Sequence, residues 1–168
     1  MRSMIELIHP VHCGNSSFVA ANEDIFNGSP ATDVISLKNA QGVLFVVACN
    51  ANAGSGAATI TIHACDNVTP SNTTDIAFNY QLISTTDIPG TLTTAVAATG
   101  VTSVGTANTM LLIEVDAAAV AAASVNSTYG NEFVRLKATE TQSDAVDGAI
   151  MAFLFGLRYA PLTATQIS

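Results

Sequence analysis

The stretch from Val43 to Cys65 constrains the fold of this chain more than any other. It runs VLFVVAC, turns at Gly54, Ser55 and Gly56, and resumes as ATITIHAC. The first arm, Val43 to Cys49, is unbroken apolar, and its β-branched and aromatic content predicts a strand buried on both faces. In the second arm Ala58, Ile60, Ile62 and Ala64 alternate with Thr59, Thr61, His63 and Cys65, the period-two pattern of a half-buried strand. Glycine reaches positive φ without steric cost, so the Gly-Ser-Gly segment reads as a turn. The expectation is an antiparallel hairpin with one arm in the middle of a core.

The rest of the chain extends this pattern. Asp33 to Leu37 reads as a strand. Ile76 to Ser84 alternates, with Ile76, Phe78, Tyr80 and Leu82 on one side. Residues 91–108 are small and β-branched, suited to two short strands around Gly100 or to an extended loop. Thr109 to Val115 and Glu132 to Glu140 put Leu111, Ile113, Val115, Val134, Leu136 and Ala138 inward. Ala149 to Tyr159 is apolar on both faces and is predicted to be central. Phe45, Ile62, Leu136 and Phe153 are the expected core. Only DAAAVAAAS, from Asp116, favours helix, with aspartate as N-cap and alanine as the best helix former. About seven to nine strands joined by polar loops predict an all-β fold, an antiparallel β-sandwich, jelly-roll-like or otherwise Greek key, with one short helix near 116–123. Residues 1–30 read as an N-terminal arm, 31–161 as the sandwich domain and 162–168 as a C-terminal tail.

Composition narrows the function. Hydrophobic residues make up 49% of the 168 residues and charged residues 11%, against roughly a quarter charged in an average domain. Mean hydropathy is +0.41. The longest apolar stretch, Gly148 to Leu157, is about half of the ~20 residues that a spanning helix needs, so no membrane role is expected. Surplus apolar surface and few charges fit an assembly subunit. Net charge is −8, and the five basic residues are Arg2, Lys38, Arg135, Lys137 and Arg158. Nucleic-acid binding needs clustered Lys and Arg to displace counterions, and this chain does not supply them. The opening MRSMIELIHP lacks the apolar core and cleavage site of a signal peptide. With three cysteines, an odd number, it predicts reduced thiols.

The chain carries no pattern of reactive chemistry. His9, His12 and Cys13 cluster as HPVHC, but a fourth metal ligand would have to come from far away, and the spacing matches no zinc module. The loop acids Asp66, Asp75, Asp87, Asp144 and Asp147 lack a calcium-loop pattern and read as solvated. Cys65 and His63 point the same way on one strand, yet their Cβ atoms are about 7 Å apart, and no nucleophile elbow is present. No catalytic, metal or cofactor-binding residue is predicted.

Two segments carry a resemblance. DVISLKNAQGVLFVVACNANAG continues into TITIHACDN, and GNEFVRLKATE leads to GAIMAFLFGLRYAP. Over about residues 33–65 and 130–161 this layout resembles small tailed-bacteriophage structural proteins of the capsid decoration, or cement, kind. The resemblance implies a β-sandwich that sits on the outer surface of a capsid, is made in the host cytoplasm, binds the major capsid protein and itself, and has no catalytic residues or cofactor. A homotrimer is expected, with a dimer second. A head–tail connector or tail component, and a sugar-binding β-sandwich, are the alternatives. Candidate assembly contacts are Met4, Ile5, Leu7 and Ile8, too apolar to leave in water, and the outward-facing Phe133.

Overall fold

The computed structural model describes residues 8–11, 24–123, 125 and 131–157. Eleven strands form two antiparallel sheets packed face to face, the sandwich arrangement expected. The larger sheet has the order β1-β11-β3-β9-β6-β7. Its strands are β1 (Ile8–Val11), β3 (Gly42–Asn52), β6 (Phe78–Ile83), β7 (Thr93–Ala95), β9 (Thr109–Asp116) and β11 (Val146–Phe155). The smaller sheet has the order β2-β10-β4-β5, with β8 also paired to β4. It is built from β2 (Ile35–Ser36), β4 (Ala57–Cys65), β5 (Thr73–Ile76), β8 (Val101–Val104) and β10 (Phe133–Gln142).

The core lies between the sheets. Val43, Phe45 and Val47 of β3 come from the larger sheet, and Ile60 and Ile62 of β4 and Leu136 of β10 from the smaller; all six are fully buried. At roughly 25 cal/mol per Å² of apolar area removed from water, this layer is the main source of stability. The single helix described, α1 (Ala117–Ala122), begins at Asp116, whose carboxylate accepts from the Ala118 amide at 2.7 Å, and it buries Val120. It therefore forms where the sequence places it.

The predicted hairpin does not form. β3 and β4 lie in different sheets, and their apolar rows line opposite walls of the core. The connecting segment 53–56 is folded by side chains rather than by strand pairing. Asn52 Oδ1 accepts from the Gly54 and Gly56 amides, and Asn52 Nδ2 donates to the carbonyls of Gly56 and Gly105. Alternation reports which side chains point to the core; it cannot tell a ladder partner from a partner in the facing sheet.

The predicted strand from Ile76 to Ser84 is divided for the same reason. Ile76 pairs with Ile62 in the smaller sheet, whereas Tyr80 pairs with Ile113 in the larger. The chain crosses between sheets at Ala77 while Ile76 and Phe78 both stay in the core.

Residues expected in the N-terminal arm contribute to the sandwich. Ile8–Val11 pairs with β11, Asp24 bridges Asp147, and Ile25 and Phe26 are buried in the core. The tail 162–168 lies outside the described residues.

Candidate interaction surface

β11 departs most from its expected orientation. Ile150, Ala152 and Leu154 are its buried row, and Met151, Phe153 and Phe155 point away from the smaller sheet. Phe153, expected in the core, is half-buried on the outer face. Ladder register extends this face strand by strand, because directly opposed residues share a side of the sheet. Phe153 lies opposite Leu44 and Met151 opposite Val46. Val46 is followed by Leu112, and Ala48 by Met110 and then Ile83. On the other flank, Ile8 of β1 lies opposite Phe155 and Pro10 opposite Phe153. β3 is thus apolar on both faces, as predicted, but within the described residues its outer face is only partly covered: Leu44 and Ala48 are half-exposed.

At one end this face sinks into a groove of about 300 Å³ lined by Ile8, Leu44, Phe153 and Phe155, with Glu114 as the single charged residue among the described lining. At the other end, beyond β6, the chain presents Ile88, Leu92 and Val96, exposed at 65%, 63% and 68%. Thr94 of β7 donates to Asn79 Oδ1, and Asn79 lies opposite Glu114 on the outer face. The two-residue period puts Leu92 and Val96 on that side too. Residues 88–96 carry no charge.

The outer face of the smaller sheet is different. Asp75, His63 and Arg135 lie in one register line across β5, β4 and β10, with Lys137 opposite Thr61 in the next. His63 Nε2 lies 3.1 Å from Asp75 Oδ1 and 3.0 Å from Thr61 Oγ1. Burial, the largest influence, holds the imidazole below its ordinary pKa of 6.5; Asp75 pulls it up, and Arg135 and Lys137 push it down. Cys65 Sγ donates to the His63 carbonyl rather than to the ring. Burial pushes the Cys49 and Cys65 thiols up to about 11, so neither is a ready nucleophile.

Two of the loop acids that could suggest metal binding already accept hydrogen bonds from the protein. Asp66 accepts from the Ser71 and Asn72 amides and from Asn72 Nδ2, at 3.0–3.1 Å. Burial alone would raise its carboxyl, but these bonds outweigh it and leave the pKa below the ordinary value. Asp144 accepts from the Ser55 amide and hydroxyl, which also lowers its pKa. Among the described residues, no three His, Cys, Asp or Glu side chains gather as a metal site. A polar concavity of about 580 Å³ beside the 53–56 turn is lined by Asn52, Ser55, Ser103, Thr106 and Gln142, with no aromatic ring among the described residues of its lining.

Of the predicted contacts, the two described, Ile8 and Phe133, lie on opposite outer faces of the sandwich. Ile8 forms one wall of the groove, whereas Phe133 lies half-buried opposite Cys65 on the far side of the sandwich. Met4, Ile5 and Leu7 lie outside the described residues, as do His12 and Cys13. Leu44, Phe153 and Phe155 went unrecognised as surface residues because a strand apolar on both faces reads as central. No family model, curated protein or solved structure matches the chain.

Proposed function

We propose that this protein is a structural subunit of a tailed-phage virion that binds the outer surface of the capsid as an oligomer and cements the shell. The observation that carries the structural-subunit reading is the apolar part of the outer face of the six-stranded sheet, running from Ile8 of β1 across Phe153 and Met151 of β11 and Leu44 of β3 to Leu112 and Met110 of β9; Asn79, Gln81 and Glu114 break it toward β6. Soluble monomers rarely expose continuous apolar surface beyond a few hundred Å², and larger patches mark contact sites. The capsid as the assembly, and the major capsid protein as a partner, rest on the resemblance over residues 33–65 and 130–161.

The sugar-binding alternative draws little support from the polar concavity, which among the described residues lacks a ring on which a sugar could stack. The connector alternative differs from decoration in position on the particle rather than in chemistry. Sedimentation of purified protein with capsids lacking it tests the proposal. Saturable co-pelleting and a higher shell melting temperature are expected. Protein that stays in the supernatant at micromolar concentration would contradict it.

A further inference from the structure

We propose that the outer face of the six-stranded sheet packs against the same face of a second copy of this chain about a two-fold axis, the Ile88–Val96 segment of each copy filling the other's groove. This deepens the reading of that face as a contact surface and is independent of the assembly being a capsid.

Three observations carry the proposal. The first is self-complementarity. One chain holds a recessed apolar groove, walled by Leu44, Phe153 and Phe155, and an exposed apolar segment, Ile88, Leu92 and Val96. Both belong to one sheet, the groove on β11 and β3 and the segment beside β7, three strand positions beyond β3. At about 4.8 Å per strand they are separated by roughly 14 Å on a common face. A ring of three needs its two complementary patches to face different neighbours. Two patches on one face are matched by a two-fold, in which each contact occurs twice. The dimer, second to the trimer in the sequence-based expectation, therefore fits this surface better.

The second observation is area. The six strands run from three to eleven residues, seven on average, so at about 4.8 Å between strands and about 3.3 Å per residue the face spans roughly 24 by 23 Å, or about 550 Å² before side-chain relief. A standard interface hides about 800 Å² per partner. One such face is thus nearly sufficient, and sheets packed in this way have a regular geometry, about 10 Å apart with strands within about 30°.

The third is charge. The segment entering the groove is uncharged from Ile88 to Val96, and among the described residues the groove carries one charge, Glu114, exposed in the single chain. The fit therefore requires Glu114 to stay at the solvent edge of the contact, since a carboxylate buried there would have no partner.

Light scattering on the full chain at micromolar concentration tests the pairing. The expected mass is twice 17.2 kDa. Leu92→Asp in the segment and Met151→Lys beside the groove replace side chains 63% and 40% exposed, positions where a charge leaves the fold intact by circular dichroism. Each variant is expected to halve the mass, and an equimolar mixture to recover part of the dimer, since one intact segment then meets one intact groove. A wild-type mass of one copy would overturn the proposal and leave the face to other residues of the same chain or to another partner. Three copies would overturn the two-fold, as would a dimer that both folded variants preserve. A dimer that fails to pellet with capsids removes the virion reading and leaves this one standing; a monomer that pellets does the reverse.

Discussion

Phe153 lies directly opposite Leu44 in the β11–β3 ladder, on the side of the six-stranded sheet turned away from the core. One residue along the same ladder, Ala152 pairs with Phe45, and both are buried. The two phenylalanines therefore hold different kinds of contact, and stability separates them. Phe45→Ala is expected to cost about 3–5 kcal/mol, the usual range for emptying a core aromatic site. Phe153→Ala should cost distinctly less in a monomer, because the ring is only half-buried. Denaturant midpoints of the two variants at one protein concentration check this; equal losses would place Phe153 in a covered layer.

Acidification is predicted to weaken the fold in two stages. The His63 pKa lies below 6.5 in the fold, so between those two values the unfolded chain binds more protons. Stability is then fully present above about 6.5 and falls as pH drops through that window. Asp66 and Asp144 have carboxyl pKa values below the ordinary 3.8, and their contribution is lost only under stronger acid. Unfolding free energy measured from pH 7.5 to 3 should show both stages, and His63→Gln should flatten the first while leaving the second. An unchanged first stage in that variant would assign it to another group.

The thiols provide a test of packing. Cys49 and Cys65 are buried, with pKa values near 11, so the native protein at pH 7 should leave both unmodified by iodoacetamide. Adding denaturant should expose them together with the loss of the β-sheet circular dichroism signal. Peptide mapping distinguishes them from Cys13. Rapid native labelling of Cys65 would mean that the β4–β10 ladder opens readily.

Gly100 joins the β7 region to β8 at φ +62°, and a Cβ at this position would collide with the Ile60 carbonyl of β4. Replacement by alanine adds a left-handed backbone penalty to a steric one. Gly100→Ala should destabilise by about 1–3 kcal/mol, read from thermal or urea unfolding. A variant as stable as the parent would show that β8 is not held against β4.

How much of this fold was legible follows from what periodicity encodes. Facing was legible where one side is polar: Ile60 and Ile62 of β4, Ile113 of β9 and Leu136 of β10 all face the core as predicted. The Asp116 cap was legible because capping is local. Pairing was not, since β3 meets β9 and β11 across long separations, and an apolar row looks the same whether its neighbour is beside it or across the core. The proposed interaction surface was legible only as a surplus. Apolar residues on both faces of β3 and β11 signalled extra burial, but whether another layer of the chain or another molecule supplies it depends on sheet order, which no local pattern carries. Leu92 and Val96 sit in the stretch 91–108, read as two short strands or an extended loop, whose period is too short to assign a face, and Ile88 lies just before it.

The number of copies per particle tests the central claim most directly, by quantitative mass spectrometry of purified virions against the major capsid protein. A decoration role predicts many copies in a fixed ratio to that protein, spread over the shell. A single ring's worth of copies, or none, would contradict it.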